Sequence, residues 1–274
     1  MMTSQGKPAI GTLLRHWRQR RHLSQLRLAL ETEISTRHLS FLETGRAEPS
    51  REMVLRLARQ LNVPLRERNV MLVAAGFAPV FTERPLEDPA LQSARDAIQT
   101  LLRAHEPYPS LAMDRGWNIV ARNSALEPLL TTVSPSLLEP PINVLRLCLH
   151  PDGLKSRIVN FNQWREHLID RLKREIELTA DVTLMRLMEE MNGYADHETS
   201  DNQRVQRGAV VVPLELESDI GVLSLISTTT VFGTAIEVTL AELTLETFFP
   251  ANAQTAEALH HQATLKSAIA EANT

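Results

Sequence analysis

Apolar residues recur at helical spacing along the first third of the chain and at alternating spacing along its last quarter, so the pattern predicts helices first and a sheet late. Within PAIGTLLRHWRQRR (8–21), Ile10, Leu13, Leu14 and Trp17 fall at i, i+3, i+4, i+7, the core face of a first helix. Ser24 is placed to cap QLRLALET, and Ser35 to cap TRHLSFLET, which Gly45 ends. Pro49-Ser50 restarts the chain into REMVLRLARQL, and Pro64 precedes LRERNVMLVAAG. Residues 5–78 therefore read as five short helices with no strand signal.

A Pro-containing, charged stretch, 79–89, reads as a linker. Beyond it, 90–252 reads as a second domain. A helix over 89–104 comes first, and SLAMD and WNIVARN then alternate around Arg115-Gly116 as a β-hairpin. Helical pattern resumes at Ser124, and a long amphipathic stretch covers 158–191. The polar run Tyr194 to Gln203 reads as an exposed loop. After it AVVVPLELES, GVLSLISTTTVFG and LAELTLETFFP read as strands, the first two joined at Asp219-Ile220-Gly221. The fold class expected is α+β, an all-α domain followed by about five antiparallel strands with helices packed on them. Residues 253–274 form an Ala-rich tail of helical composition.

Charge divides the chain at the same place. Residues 1–80 hold thirteen Lys and Arg against six Glu, a balance of +7, and the remainder holds sixteen against twenty-seven acidic residues, or −11, within an overall −4. A basic front suits a polyanion, and the acidic bulk behind it must sit away from one. No apolar run approaches the ~18 residues that cross a bilayer, and the first residues lack a secretory pattern, so a cytoplasmic protein with no membrane partner is expected. The one Cys, Cys148 in LRLCL, cannot close an internal disulfide. It reads as an inert buried thiol, with a redox sensor as the other reading.

In the basic part, Gln25 opens one helix, Ala29 lies four residues on, a turn falls at Glu33-Ile34, and Ser35 opens the next helix. This is helix-turn-helix spacing, with Leu26, Ile34, Leu39 and Leu42 expected underneath. Ser35, Thr36, Arg37, His38 and Ser40 are then left outward on the part of a helix that enters a major groove. Arg37 is the best guanine reader, Thr36, His38 and Ser40 face bases or phosphates, and Arg18, Arg46 and Arg51 are phosphate partners. Through LSQLRLALETEISTRHLSFLETGRAEPS the chain resembles the Cro/repressor-like helix-turn-helix family. That resemblance implies that Gln25 contacts a phosphate and braces the recognition helix. Glu33 stands where the family commonly has Gly. So small a module needs a homodimer on a pseudo-palindrome of double-stranded DNA for useful affinity.

Beyond the linker, MDRGWNIVARNSA (113–125), NVLRLCLHPDGLKSRIVNFNQW (143–164) and STTTVFGTAIEVTLAELTLETFFPANAQT (227–255) resemble the ligand-binding domain of MmyB-like transcription regulators. The resemblance implies a PAS-like fold holding a small organic effector. Candidate ligand-binding residues are Trp117, Ile119, Asn123, Leu145, Arg146, Phe161, Trp164, Leu168, Leu223, Leu225 and Phe248, the aromatic and aliphatic ones as walls and Asn123 and Arg146 as polar anchors. Each is also an ordinary core or surface residue by type. If Arg146 faces inward, a carboxylate ligand such as a fatty acid follows, because a buried guanidinium needs a partner.

Catalytic signatures are missing: there is no G-x-S-x-G elbow, P-loop, H-E-x-x-H or dinucleotide fingerprint. The expectation is a non-enzymatic, one-component transcription regulator that needs no cofactor or metal. The rival is a DNA-binding regulator whose second domain serves only dimerisation or protein interaction; its mark is an exposed apolar sheet face and no cavity.

Overall fold

A computed structural model describes residues 9–194 and 211–272. Most of the expected polar loop to Gln203, and the first two residues of AVVVPLELES, lie outside the described residues. The chain forms two compact units, one from the N-terminal part to Pro85 together with Thr234–Ala241, the other from Leu86–Gly233 and the chain from Glu242 onward.

The first unit holds α1 (Ile10–Arg20), α2 (Gln25–Glu31), α3 (Thr36–Glu43), α4 (Arg51–Gln60) and α5 (Leu65–Ala74). Three of the five begin on a serine whose hydroxyl accepts a backbone N–H of the first turn: Ser24 from Arg27, Ser35 from His38 and Ser50 from Met53. Leu14, Trp17, Leu28, Ala29, Leu39, Leu42, Val54, Leu57 and Leu72 are buried there. α1 crosses α3 so closely that a Cβ on Gly11 would lie 2.5 Å from the Leu42 carbonyl oxygen. The helix-turn-helix differs from expectation in phase. Leu26 is 69% exposed, and Leu28 takes the buried place beside Ala29. The inward face of α2 runs through positions 25, 28, 29 and 32, which puts Leu26 and Leu30 together on the other side.

The stretch expected to be a linker is partly structured. Asn69 holds it: its side-chain oxygen accepts from Val80 N (3.0 Å) and Phe81 N (3.1 Å), and its Nδ2 donates to the Phe81 carbonyl (2.7 Å). A segment from far along the sequence joins the same unit. In α10 (Val238–Ala241), Val238 is fully buried and its N–H donates to the Thr82 carbonyl (2.8 Å). Buried Glu237 accepts from Arg84 N at 2.8 Å.

The second unit comprises α6 (Gln92–Ala104), β1 (Ser110–Met113), β2 (Ile119–Arg122), α7 (Val144–Leu149), α8 (Phe161–Thr179), α9 (Val182–Gly193), β3 (Leu214–Ser218), β4 (Gly221–Val231), β5 (Thr244–Pro250) and α11 (Ala253–Ala272). The five strands form one antiparallel sheet in the order β2-β1-β5-β4-β3. Period-2 alternation sorts its faces. Leu111, Met113, Leu223, Leu225 and Phe248 point into a core shared with α7, α8 and α9, and Ala112 and Leu245 pack on Ile98 and Leu102 of α6. The expected continuous stretch 158–191 is two helices. Ala180 adopts φ +58° at the end of α8, and the Asp181 carboxylate then caps α9 through Thr183 N. In the β1–β2 turn the positive φ falls on Trp117 (+64°) rather than on Gly116, held by Asp114, whose carboxylate accepts from Gly116 N and Asn118 N.

Candidate functional site

The helix-turn-helix carries its polar side chains in two layers. Beneath the surface, Arg18 of α1 and Glu43 of α3 form a two-point ion pair, Nε to Oε1 at 2.6 Å and Nη2 to Oε2 at 2.9 Å, while Arg18 Nη1 donates to the Leu23 carbonyl (2.8 Å). Gln25 Nε2 donates to the same Glu43 carboxylate at 2.8 Å. Three helices thus meet on one acidic side chain. Its hydrogen bond raises the Arg18 pKa above the usual arginine value, with burial opposing. The phosphate role expected for Arg18 is therefore corrected: Arg18 is 9% exposed and its guanidinium donors are occupied inside the unit. Gln25 is thereby tied to α3 through Glu43.

Above this layer, Ser35 and Arg37 are exposed and Thr36, His38 and Ser40 are half-buried at the start and along the outer side of α3. Arg37 and Arg46 lie over the Phe41 ring, at 5.3 and 5.9 Å from its centroid. One aromatic ring therefore organises two guanidiniums while Arg37, Arg46 and Arg51 remain exposed. Glu33, where glycine is common in the resembling family, adopts φ +54°, so the turn keeps its left-handed residue without the glycine.

In the second unit, Leu111, Ile119, Leu126, Leu129, Leu130, Val144, Leu147, Cys148, Leu154, Leu214, Leu216, Leu225 and Phe248, with Pro109, line a cavity of about 50 Å³ whose wall is apolar. Of the residues expected at a ligand, Ile119, Leu225 and Phe248 line it. Trp117, Leu145, Trp164, Leu168 and Leu223 belong to the buried core around it, and Phe161 packs on that core while also receiving Lys155 over its ring. Neither expected polar anchor points there. The Asn123 amide is occupied with backbone, accepting from Ser110 N (3.0 Å) and donating to the Tyr108 and Leu102 carbonyls (2.8 and 3.2 Å). Arg146 turns to the surface, where Glu190 pairs with it at two points (2.7 and 2.8 Å), so the condition for a carboxylate anchor is not met. That pairing raises the Arg146 pKa and lowers that of Glu190.

Next to the cavity lies a buried polar cluster that sequence reasoning missed. Glu246, 3% exposed in the middle of β5, accepts from Arg171 Nη1 of α8 at 2.9 Å. Arg171 stacks over Trp117 at 4.5 Å and also donates to Glu175 (3.3 Å), whose other oxygen accepts from Trp117 Nε1 at 2.6 Å. Burial pushes the Glu175 pKa up, against the lowering by Arg171 and Trp117. The signal was in the spacing. Glu246 shares a strand face with Phe248, and Arg171 and Glu175 sit seven and eleven residues beyond Trp164, on the stripe that Leu168 marks.

A larger groove, about 600 Å³, lies along α5 in the first unit, lined by Arg66, Glu67, Val70, Val73, Phe81 and Glu83 among others. Among the described residues no group of His, Cys, Asp and Glu is placed to hold a metal ion, and no helix is long and apolar enough to cross a membrane.

The two units define a DNA-binding module joined to a hollow sheet-and-helix domain, the architecture of a ligand-responsive transcription regulator. Residues 94–261 match the MmyB-like transcription regulator ligand binding domain, and residues 14–68 match a helix-turn-helix family. The first match spans more than half of the chain, and the chain belongs to that family. The crystal structure of the clp gene regulator ClgR from Corynebacterium glutamicum is similar at 26% identity, covering 37% of this chain and 98% of that one, with a TM-score of 0.23. No curated protein matches the chain.

Proposed function

We propose that the protein binds a pseudo-palindromic operator as a homodimer and that an apolar effector, entering the cavity of the second unit, changes that binding. The observation that carries the effector half is the composition of the wall: aliphatic side chains from the sheet, from α7 and from the 3-10 turn Ser124–Leu129 converge on one cavity. A cavity of about 50 Å³ is below the ~300 Å³ at which ligand pockets usually begin. An effector of useful size must therefore push the wall outward, and the short 3-10 turn carrying Leu126 and Leu129, with Pro128 inside it, is the element expected to yield. Such displacement gives the effector a differential affinity for two states, which coupling requires. The route is along the chain: β4 and β5 contribute Leu225 and Phe248 to the wall, and Thr234–Ala241 between them belongs to the DNA-binding unit.

On the DNA side, Arg37 reads a base and Arg46 and Arg51 hold phosphates, with Ser35, Thr36, His38 and Ser40 along the same face. A regulator of this kind acts in the cytoplasm and needs no catalytic group, cofactor or metal. Selection of bound duplexes from a random pool by the full chain tests the DNA half. Two-fold related half-sites, about 34 Å or a multiple apart, are expected; a single asymmetric site would remove the dimer.

A further inference from the structure

The wall of the cavity has no polar anchor, yet the core beside it holds one unsatisfied donor. Trp164 Nε1 is buried without a hydrogen-bond partner, on a side chain 2% exposed. It is the single such side-chain atom among the described residues. A buried N–H without an acceptor costs about 1–3 kcal/mol, and native cores rarely carry one without reason. Its neighbours serve it poorly. The indole N–H is directed at the Cys148 sulfur, an interaction that favours the thiolate but falls short of a well-formed hydrogen bond. Burial outweighs that influence and pushes the thiol up to about 12, so Cys148 stays a neutral S–H, a weak acceptor. His167 stacks on the Trp164 ring at 5.2 Å between centroids rather than meeting its edge.

Cys148 is also a wall residue of the cavity. A ligand that widens the wall at Cys148 would displace the thiol on which the indole bears. The charges behind it decide what kind of acceptor is tolerated. Arg171 already serves both Glu246 and Glu175, so a ligand carboxylate would be a third anion around one guanidinium. Arg146 is turned away to Glu190. Burial, with Arg171 and Arg174 nearby, lowers the His167 pKa, so His167 supplies no compensating charge at neutral pH.

We propose that the effector is an uncharged, mainly hydrocarbon molecule with one acceptor oxygen, of the ketone, ester or ether type, and that Trp164 Nε1 donates to that oxygen. This rests on the reading of the second unit as an apolar-ligand receptor and replaces the carboxylic acid that an inward Arg146 would have favoured. Trp164 is thereby the specificity-determining residue, and the aliphatic wall supplies affinity without discrimination.

The test is calorimetric titration of the full chain with three probes of equal chain length, octane, 2-octanone and octanoate, at pH 7. The ketone is expected to bind about tenfold tighter than octane, the gain of one hydrogen bond to a buried donor, and octanoate more weakly than the ketone. In Trp164→Phe the ratio of ketone to octane affinity falls to about one. Cys148→Ser provides an independent check with the indole retained: its hydroxyl gives Trp164 an internal acceptor, and the ketone advantage shrinks. Octane and ketone binding equally, octanoate binding tightest, or an undiminished advantage in folded Trp164→Phe would each overturn the proposal while leaving the receptor reading in place. Failure of all three probes to bind would remove the receptor reading and the proposal with it.

Discussion

Arg18 and Glu43, twenty-five residues apart, are joined by two hydrogen bonds of 2.6 and 2.9 Å that tie the first helix of the DNA-binding unit to the end of the third. The pair orients the helix that carries Arg37 without itself reaching the surface. Glu43→Gln leaves the guanidinium without its counter-ion in a nearly closed setting. Removing one partner of a buried pair costs about 3–5 kcal/mol, and the residual solvent contact of Arg18 brings the expectation to roughly 2–3 kcal/mol. Urea denaturation of the variant against the parent checks it; a loss under about 0.5 kcal/mol, the usual range of surface changes, would reduce the pair to ornament.

Gly11→Ala tests the crossing of α1 and α3. The new methyl would lie 2.5 Å from the Leu42 carbonyl oxygen and 2.7 Å from that of Glu43, and both are backbone atoms that cannot swing aside. A cost of about 1–3 kcal/mol is expected from overpacking, against the slight gain Ala normally brings to a helix. The midpoint of thermal unfolding decides the sign.

Much of this unit was legible beforehand because its signals are local. Serine caps, Gly45 and the spacing around Ala29 act within one or two turns of helix. What stayed hidden depended on partners distant in sequence. In sequence Arg18 is one of several arginines, and only the fold sets Glu43 beside it; Leu26 and Leu28 are equally apolar, and only the helix phase ranks them. In the second unit the same limit applies more strongly. Alternation identified the strands and put Leu225 and Phe248 inward. It also puts Glu246 on the Phe248 face, but it could not show that the carboxylate is buried there against Arg171, from a helix seventy-five residues earlier. Nor could composition place Thr234–Ala241 in the DNA-binding unit, since its tie is the complementarity of Glu237 and Val238 to the backbone at Thr82 and Arg84.

Substitutions on the outer face separate reading from gripping. Arg37→Ala is expected to lose about 1–3 kcal/mol of preference at one base position while keeping general affinity for duplexes. Arg46→Ala weakens all sequences alike and lowers the salt dependence of binding by about one counterion. Competition binding over a salt series, with the selected operator and a scrambled duplex, distinguishes the two.

Glu175 makes the stability of the second unit depend on pH. Burial raises its folded pKa above the usual carboxylate value, so the folded state holds that proton more tightly than the unfolded chain does. Its contribution is fully present below the unfolded pKa, near 4.5, and is lost as pH rises through the folded value. Glu175→Gln removes this titration and keeps an oxygen for Trp117 Nε1. The variant is expected to be more stable than the parent at pH 7, with a smaller loss on going upward from pH 4.5. Thermal unfolding followed between pH 4 and 8 would show an unchanged profile if Glu175 were not the group responsible.

The central claim, that filling the cavity of the second unit alters DNA binding by the first, is tested most directly by fluorescence anisotropy of the selected operator with the full chain, with and without a saturating cavity ligand. Coupling of about 1–3 kcal/mol predicts a change in apparent Kd of roughly 5- to 150-fold, in either direction. An operator affinity that stays within twofold while calorimetry shows the cavity occupied would contradict it.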